Sequence, residues 1–168
     1  MRILHIDETF HPNFGYHCNP LAKYQKIDGN EVFIIAPEKK YIYSVYKAFN
    51  EYGESLEQDD KNYEERTGVI IKRVHANGKI AGRLNYNMPE LIETINEINP
   101  DAILVHCIET LTAMRLMHRL KRKYPMVFDS HMLSMASRNK FVRLYEIGYR
   151  LLCTTLIKKE KYVVIKTQ

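Results

Sequence analysis

Short apolar runs alternate with polar, glycine- and proline-containing stretches along the chain. Residues 2–6 alternate apolar and polar side chains, and residues 31–36 form a second apolar run that ends at Pro37. Between these runs, residues 20–25 are compatible with a helix that the sequence Asp28-Gly29-Asn30 ends. This order predicts a strand, a helix and a second, parallel strand joined by a right-handed crossover.

The same pattern continues to the end of the chain. Further apolar runs predict strands at residues 69–74, 102–105, 125–128 and 162–165. Helical spacing predicts helices at residues 87–98, 110–123 and 139–161. Residues 38–52 suggest an aromatic-rich helix, residues 53–66 an exposed acidic loop and residues 79–86 an irregular connection. We therefore predict one α/β domain over residues 1–168, a Rossmann-like three-layer sandwich with a parallel six-stranded sheet in the order 3-2-1-4-5-6.

The helix predicted at residues 139–161 is amphipathic. One broad face is expected to point at the core and carries Phe141, Leu144, Tyr145, Gly148, Leu151, Leu152 and Leu156. The opposite side carries a basic stripe of Lys140, Arg143, Arg150, Lys158 and Lys161. The stripe contributes to a charge asymmetry, because residues 1–112 hold 12 basic and 17 acidic side chains whereas residues 113–168 hold 13 and 3.

This basic stripe has three interpretations: a solvated helix face, a contact with an anionic membrane surface, or a contact with nucleic acid. The chain lacks the interleaved aromatic and basic residues of RNA-binding modules, so no nucleic acid is expected as a partner. The solvated face and the anionic membrane surface stay open, because the basic excess is larger than solubility requires.

The composition is that of a globular protein. Hydrophobic residues make up 45% and charged residues 27% of the 168 positions, and no apolar run is long enough to cross a membrane. Met1 and Arg2 lead directly into a strand pattern without the apolar segment of a secretory signal, so we expect a cytoplasmic protein. The three cysteines are widely spaced, which argues against a disulfide framework.

Several short motifs follow one another in a characteristic order. They are Phe10-His11-Pro12-Asn13-Phe14-Gly15, Gly29-Asn30-Glu31-Val32, Asn99-Pro100-Asp101-Ala102 and Val127-Phe128-Asp129-Ser130-His131. Together with the long helix that leads to residues 162–165, this order resembles the N-terminal domain of family-four glycosyltransferases over nearly the whole chain.

The resemblance implies a GT-B architecture, in which two Rossmann-like domains face each other across a cleft. Such enzymes transfer a sugar from a nucleotide-sugar with retention of configuration, as in the biosynthesis of cell-surface polysaccharides, and need no catalytic metal or other cofactor. This chain corresponds to the domain that binds the glycan or lipid-linked acceptor, and we expect it to be inactive without the donor-binding domain. The alternative is a stand-alone Rossmann-like module that binds a ligand or docks to a membrane without catalysis.

Gly15 and Tyr16 lie between the first strand and the first helix. Backbone N–H groups and the helix dipole favour a phosphate at such a position, so both residues are substrate-binding candidates. Family members usually carry two adjacent glycines here, and Tyr16 narrows the loop. The alternative is that Gly15 only permits a left-handed turn.

His131 follows the fifth predicted strand and resembles the family histidine that reaches the acceptor and the donor phosphate. It is therefore the catalytic candidate, and the alternative is a half-buried histidine bonded to a loop carbonyl. Met132 stands where relatives commonly carry an aspartate. His106 and Glu109 follow the fourth strand and are candidates for acceptor contact, although Glu109 also suits the first turn of the next helix.

Four metal-competent residues lie within fourteen positions of one another: His5, His11, His17 and Cys18. His5 lies inside a predicted strand, and the set lacks the closely spaced pairs that structural zinc motifs use. The spacing therefore predicts no metal site.

Overall fold

Strands and helices alternate along the computed structural model, which describes residues 1–13, 17–38, 56–80, 83–130 and 142–166. The strands are β1 (Arg2–Ile6), β2 (Glu31–Pro37), β3 (Ile70–Val74), β4 (Ala76–Ile80), β5 (Arg83–Tyr86), β6 (Ala102–Val105), β7 (Met126–Ser130) and β8 (Val163–Lys166). The α-helices are α1 (Cys18–Ile27), α2 (Leu56–Thr67), α3 (Met88–Ile98), α4 (Leu111–Arg119), α5 (Val142–Tyr149) and α6 (Thr155–Glu160). A π-helical segment, Arg150–Thr154, joins α5 to α6.

Six of these strands form one parallel sheet in the order β3-β2-β1-β6-β7-β8. Numbered within the sheet alone, this order is 3-2-1-4-5-6, so the predicted topology is confirmed. The central strands are apolar on both faces, as the burial of β2 from Val32 to Pro37 illustrates. Such composition is typical of parallel strands that helices cover on both sides.

Two hydrophobic clusters lie on opposite faces of the sheet and make a three-layer sandwich. The first contains Phe10, Cys18 and Ala22 from the segment around α1, together with Tyr63 of α2. The second and larger cluster lies on the other face and draws its helical residues from α3, α4 and the π-helical segment. Successive strand residues therefore point to different helices, and this alternation decides which side chains meet at the ends of the strands.

Two predictions for the connections were wrong. Residues 53–66 were expected to form an exposed loop, but α2 occupies Leu56–Thr67 and buries Leu56 and Tyr63, which lie seven positions apart on one helical face. Residues 79–86 were expected to be irregular, but β4 and β5 pair as an antiparallel hairpin. Leu84 and Tyr86 point inward at the two-residue period of a strand. The predicted aromatic-rich helix lies outside the described residues, apart from Glu38.

The inward face of the last long helix was also predicted wrongly. Leu144, Leu151 and Leu152 are 69%, 74% and 54% exposed. Leu156 packs against the core as predicted, and the other side chains that do so are Tyr149, Cys153 and Ile157. These four residues follow the spacing i, i+4, i+7 and i+8 and form one helical stripe, which is rotated around the helix from the predicted face. Across the described ranges, every helix is too short or too polar to pass through a membrane.

Candidate functional site

The carboxyl ends of β1, β6 and β7 lie side by side at one edge of the sheet. The chain continues from β1 to α1 on one face and from β6 to α4 on the other face. These connections diverge between neighbouring strands, and in doubly wound sheets a ligand-binding crevice opens at such a point. Polar residues follow each strand end there: Asp7 and Glu8 after β1, His106 and Glu109 after β6, and Asp129 and Ser130 in β7.

Four polar side chains form a row of contacts from α1, across one face of the sheet, to β7. His5 Nε2 lies 2.7 Å from Gln25 Oε1, and His5 Nδ1 lies 2.9 Å from His106 Nε2. His106 Nδ1 lies 2.5 Å from Asp129 Oδ2. The two imidazole rings stack nearly in parallel, with centroids 5.2 Å apart, and both residues are buried. We call the chain of Gln25, His5, His106 and Asp129 the histidine relay.

Strand register places the histidine relay on the face that α1 covers. His5 pairs with Leu104 across the β1–β6 ladder, and His106 lies two residues after Leu104. Side chains two residues apart in a strand share a face, so the two imidazoles become diagonal neighbours. Val127 pairs with Leu104 in the next ladder, which brings Asp129 to the same face.

His17 adds a third imidazole to the end of the histidine relay. Its Nε2 lies 2.9 Å from His106 Nδ1 and 3.2 Å from Asp129 Oδ2. His17 is the residue before α1, and its side chain makes no hydrogen bond to the helix N-terminus. Its ring instead turns toward the strand ends, so that groups from α1, β6 and β7 meet there.

Asp129 is held from two sides. Its Oδ2 faces the two histidines, and its Oδ1 accepts a hydrogen bond from the Cys107 backbone N–H at 2.7 Å. Cys107 has a φ of 64°, a left-handed conformation that is unfavourable for a residue with a side chain. The carbonyl of Cys107 accepts from the Thr110 N–H at 3.0 Å, so hydrogen bonds at both ends stabilise this turn and fix the carboxylate.

The charges of the site follow from burial and from these hydrogen bonds. Burial, together with the nearby His106, lowers the pKa of His5 to about 3, so His5 is neutral at ordinary pH. Burial alone would raise the pKa of Asp129, but hydrogen bonds from His106, His17 and the Cys107 N–H outweigh it and hold this pKa well below its usual range. The hydrogen bond to Asp129 raises the pKa of His17.

The proton arrangement of the histidine relay depends on the Gln25 amide. As the amide stands, His5 Nε2–H donates to Gln25 Oε1, and His5 Nδ1 accepts from His106 Nε2–H. His106 Nδ1 then faces the Asp129 carboxylate, and a cation or a second proton must lie between the two atoms. With the amide reversed, His106 Nδ1–H donates to Asp129 and every proton in the relay shifts by one bond.

Two further carboxylates at this edge accept hydrogen bonds from hydroxyl groups. Glu8 Oε1 accepts from Thr112 Oγ1 at 2.5 Å, and burial raises the pKa of Glu8 to about 7. Glu109 Oε1 accepts from Ser130 Oγ. Glu8 therefore exchanges a proton near neutral pH, whereas Glu109 links the chain after β6 to the end of β7.

A small cavity of about 170 Å³ opens beside the histidine relay. His17 and Asp129 contribute polar groups to its wall, and the rest of the wall is apolar. The apolar residues are Leu21, Leu104, Val105, Val127, Phe128 and Ile165. The site thus offers a polar cluster next to an apolar surface, an arrangement that small-molecule sites commonly have.

The structure brings together only some of the residues that the sequence singled out. His106 lies at the predicted sheet edge but is 3% exposed, and it contacts His5, His17 and Asp129. Glu109 lies at the same edge, bonded to Ser130. Gly15, Tyr16 and His131 lie outside the described residues, so their predicted roles stay predictions.

The four metal-competent residues near the N-terminus divide between different surroundings. His11 Nδ1 accepts a hydrogen bond from the Asn13 N–H, and His11 belongs to neither group of candidate ligands among the described residues. His5 and Cys18 lie near His106, and His17 lies near His106 and Asp129. Two sets of three candidate ligands therefore form, and each contains His106, which the sequence pattern did not connect with the other histidines.

Sequence reasoning missed the roles of His17, Gln25 and Asp129. Asp129 was visible as a polar residue at the end of an apolar strand, a position that favours function in parallel sheets. Gln25 is one of several polar residues on α1, and nothing in its spacing distinguishes the side chain that reaches His5.

No protein-family model and no curated protein matches the sequence.

Proposed function

We propose that this chain is the acceptor-binding N-terminal domain of a glycosyltransferase that transfers a sugar from a nucleotide-sugar, with retention, to a glycan or lipid-linked acceptor. The observation that carries the proposal is the set of polar side chains at the divergence point between β1 and β6. The parallel sheet belongs to a Rossmann-like fold, which is the fold that the resemblance to family-four glycosyltransferases implies, and this agreement adds support.

Hydroxyl recognition is the chemistry that this edge offers. Glu8 accepts a hydrogen bond from the hydroxyl of Thr112, and Glu109 accepts one from the hydroxyl of Ser130. A sugar hydroxyl donates in the same way, and charge-assisted hydrogen bonds of this kind are stronger than neutral ones. Glu109 is the proposed acceptor contact, because it follows β6 and its hydrogen bond to Ser130 reaches the end of β7. These two strands flank the crevice.

The residues carried over from the resemblance complete the proposal. His131 is the proposed catalytic residue, and Gly15 and Tyr16 are the proposed substrate contacts beside the helix N-terminus. The proposed transfer step uses a nucleotide-sugar donor and involves no metal. The donor would bind chiefly to a second domain, so the isolated chain is expected to bind acceptor without transferring sugar.

The test uses the full-length protein, referred to below as the full-length product, that contains this chain. Sugar transfer is measured with a panel of nucleotide-sugars and with glycan and lipid-linked acceptors. We expect His131→Ala to lower turnover strongly with folding intact, and Glu109→Gln to raise KM for the acceptor more than it lowers kcat. Glu97→Gln is the matched control, because Glu97 is an exposed glutamate on α3. Absence of transfer with every donor, or unchanged kinetics in both variants, would contradict the proposal.

A stand-alone ligand-binding module is the rival function. It predicts that the isolated chain binds a nucleotide or phosphorylated ligand with the affinity of the full-length product. Thermal shift measurements of both proteins against the same nucleotide-sugars distinguish the two functions, because bound ligand raises the unfolding temperature. Donor-dependent stabilisation of the full-length product alone favours the transferase.

Contact with an anionic membrane is a second candidate function, and exposed apolar residues on the last helix favour it. Leu144, Ile147 and Leu151 are 69%, 58% and 74% exposed and lie three and four positions apart. Exposed basic residues, including Arg143 and Arg150, lie on the same helix. Apolar side chains beside basic ones are the features by which helices bind at the surface of anionic bilayers.

Liposome co-sedimentation tests the membrane contact. Binding is expected with vesicles that contain anionic lipid, and the double variant Leu144→Ser and Leu151→Ser is expected to reduce it. Ile27→Ser is the control, because Ile27 is 65% exposed at the end of α1. Added salt should weaken the binding, since it screens the attraction between basic residues and lipid. Binding that is indifferent to lipid charge and to both leucines would rule this function out.

A further inference from the structure

Three ligand-type atoms from three separate elements converge beside the crevice. They are Nε2 of His17, the residue before α1, Nδ1 of His106, the residue after β6, and Oδ2 of Asp129, which lies in β7. The distances between them are 2.9 Å for the two histidines, 3.2 Å from His17 to Asp129 and 2.5 Å from His106 to Asp129. Atoms bound to one tetrahedral zinc ion at about 2.0–2.1 Å lie about 3.3 Å apart. An outward movement of the half-exposed His17 ring would widen the two distances that involve His17. His106 Nδ1 and Asp129 Oδ2 would have to move apart by about 0.8 Å to reach the same spacing.

We propose that His17, His106 and Asp129 form a binding site for a divalent transition-metal ion, of which Zn²⁺ is the best suited. Two imidazoles and one carboxylate are a ligand set that zinc sites with an open fourth position use. Imidazole nitrogen favours Zn²⁺ over Mg²⁺ and Ca²⁺, which prefer oxygen ligands. The site goes beyond the proposed sugar transfer and does not depend on it.

The residues behind the three ligands match a metal site as well. A metal-bound histidine must be neutral and usually donates its other N–H to a neighbouring acceptor. His106 bound through Nδ1 would donate its Nε2–H to His5 Nδ1, and His5 would donate its Nε2–H to Gln25 Oε1. This is the arrangement that the Gln25 amide orientation already fits. The second oxygen of Asp129 accepts from the Cys107 N–H, so the carboxylate is oriented too.

A second set of possible ligands shares His106 and competes with this assignment. It consists of His5, Cys18 and His106, all of them buried. An ion bound there would therefore have no exposed ligand at its entrance. His17 is 40% exposed and provides such an entrance to the first set. The two sets also differ in chemistry, because only the second contains sulfur.

Zinc titration of the metal-free chain tests the proposal. The chain is treated with a chelator, dialysed and titrated with ZnCl₂ in a calorimeter, with MgCl₂ as the comparison. We expect one zinc ion per chain, no comparable binding of Mg²⁺, and at least tenfold weaker zinc binding in His17→Ala. His75→Ala is the matched control, because His75 is a half-exposed histidine that pairs with Glu38 away from the site. Absence of zinc binding, or equal weakening in both histidine variants, overturns the proposal.

Additional variants and a spectrum keep the result decisive. Asp129→Asn should also weaken binding, and far-ultraviolet circular dichroism checks its folding. If it does not fold, His17→Ala together with His17→Gln decides, because neither change removes a helix cap or a buried side chain. With Co²⁺ in place of zinc, weak visible bands without a thiolate charge-transfer band are expected. A thiolate band, or binding that depends on Cys18 and not on His17, overturns the assignment.

Discussion

His106 Nδ1 lies 2.5 Å from Asp129 Oδ2 although the two residues are 23 positions apart in the chain. The His106 side chain is 2% exposed and that of Asp129 is 14% exposed, so this contact is shielded from water. Electrostatic interactions are stronger in such surroundings. The protonation of the residues around this pair is therefore expected to control the pH dependence of stability.

The His17 side chain is expected to stabilise the fold mainly at acidic to neutral pH. The pKa of His17 is raised above its ordinary 6.5, chiefly by its hydrogen bond to Asp129, so its contribution is complete below pH 6.5 and is lost as pH rises through the raised value. At acidic pH the stabilisation has a second limit, set by Asp129. Its pKa is lowered in the folded state, so the stability that the charged carboxylate contributes is lost as pH falls below its ordinary pKa of 3.8. His17→Gln should therefore lower the free energy of unfolding by roughly 0.5–1 kcal/mol between pH 3.8 and pH 6.5, a figure that already includes solvent screening. The loss should be smaller at pH 9.

Urea denaturation at a series of pH values, with a chelator present, measures this difference. The control is His75→Gln, because His75 is also half exposed and faces a carboxylate, Glu38. A His17→Gln effect that is larger at pH 9 than at pH 5.5 would contradict the assigned ion pair.

His5 is expected to have the opposite effect on acid stability. Burial lowers its pKa from 6.5 to about 3, so the unfolded chain takes up a proton between these values and the folded chain does not. Folding stability should therefore fall as the pH is lowered from 6.5 toward 3, by at most about 1.4 kcal/mol per pH unit for this one proton. His5→Gln should unfold at lower denaturant concentration than the wild type at pH 7 but show a shallower decline with acid. Equal slopes in the two proteins would show that His5 does not cause the decline.

Glu8 is expected to reduce stability at neutral and alkaline pH. Burial raises its pKa from 4.5 to about 7, so the unfolded chain loses this proton more readily and stability falls as pH rises from 4.5 to 7. Glu8→Gln removes the charge and keeps an oxygen that can accept from Thr112. We expect the variant to be more stable by up to about 2 kcal/mol at pH 8 and equally stable at pH 4.5. Thermal unfolding at both pH values checks this, and a destabilised variant at pH 8 would refute the raised pKa.

Arg73 is expected to contribute far more to stability than another arginine in an ion pair. It donates two hydrogen bonds to Asp60 and one each to the carbonyls of Phe10 and Pro37, and it is partly buried. Arg73→Met should cost about 2–4 kcal/mol, because Asp60 and two carbonyls lose their partner. Arg122→Met should cost about 1 kcal/mol, because the Arg122 side chain is 72% exposed and loses one hydrogen bond to Glu160, whose side chain is 7% exposed. Denaturant midpoints measure both, and similar losses would contradict the assignment.

The fold was predictable because each strand of the main sheet is marked by residues close together in the sequence. Apolar runs bounded by glycine, proline and asparagine marked all six strands of the main sheet, and buried parallel strands show such runs. The hairpin of β4 and β5 was missed because its strands are short and bury only Ala76, Leu84 and Tyr86. The helix α2 was missed because only Leu56 and Tyr63 anchor an otherwise polar segment.

The last helix shows where periodicity alone fails. A regular spacing of 3.6 residues placed Leu144, Leu151 and Leu152 on the inward face, and the structure exposes all three. Apolar residues occur around much of this helix, so periodicity does not distinguish the stripe that packs inward from the leucines that stay exposed. The packing of Tyr149 and Cys153 against the core follows from the tertiary structure.

The pattern of residues along the chain was sufficient to predict the sheet, its strand order and the edge at which His106 and Glu109 lie, because each strand is specified by its own composition and by the connections that follow it. The contacts among His5, His17, His106 and Asp129 became visible in the folded structure alone. Their contacts depend on strand register, on the seating of α1 and on ring orientation. Register, helix seating and ring orientation each result from many weak packing interactions between segments far apart in the chain, so they cannot be predicted from any single stretch of sequence.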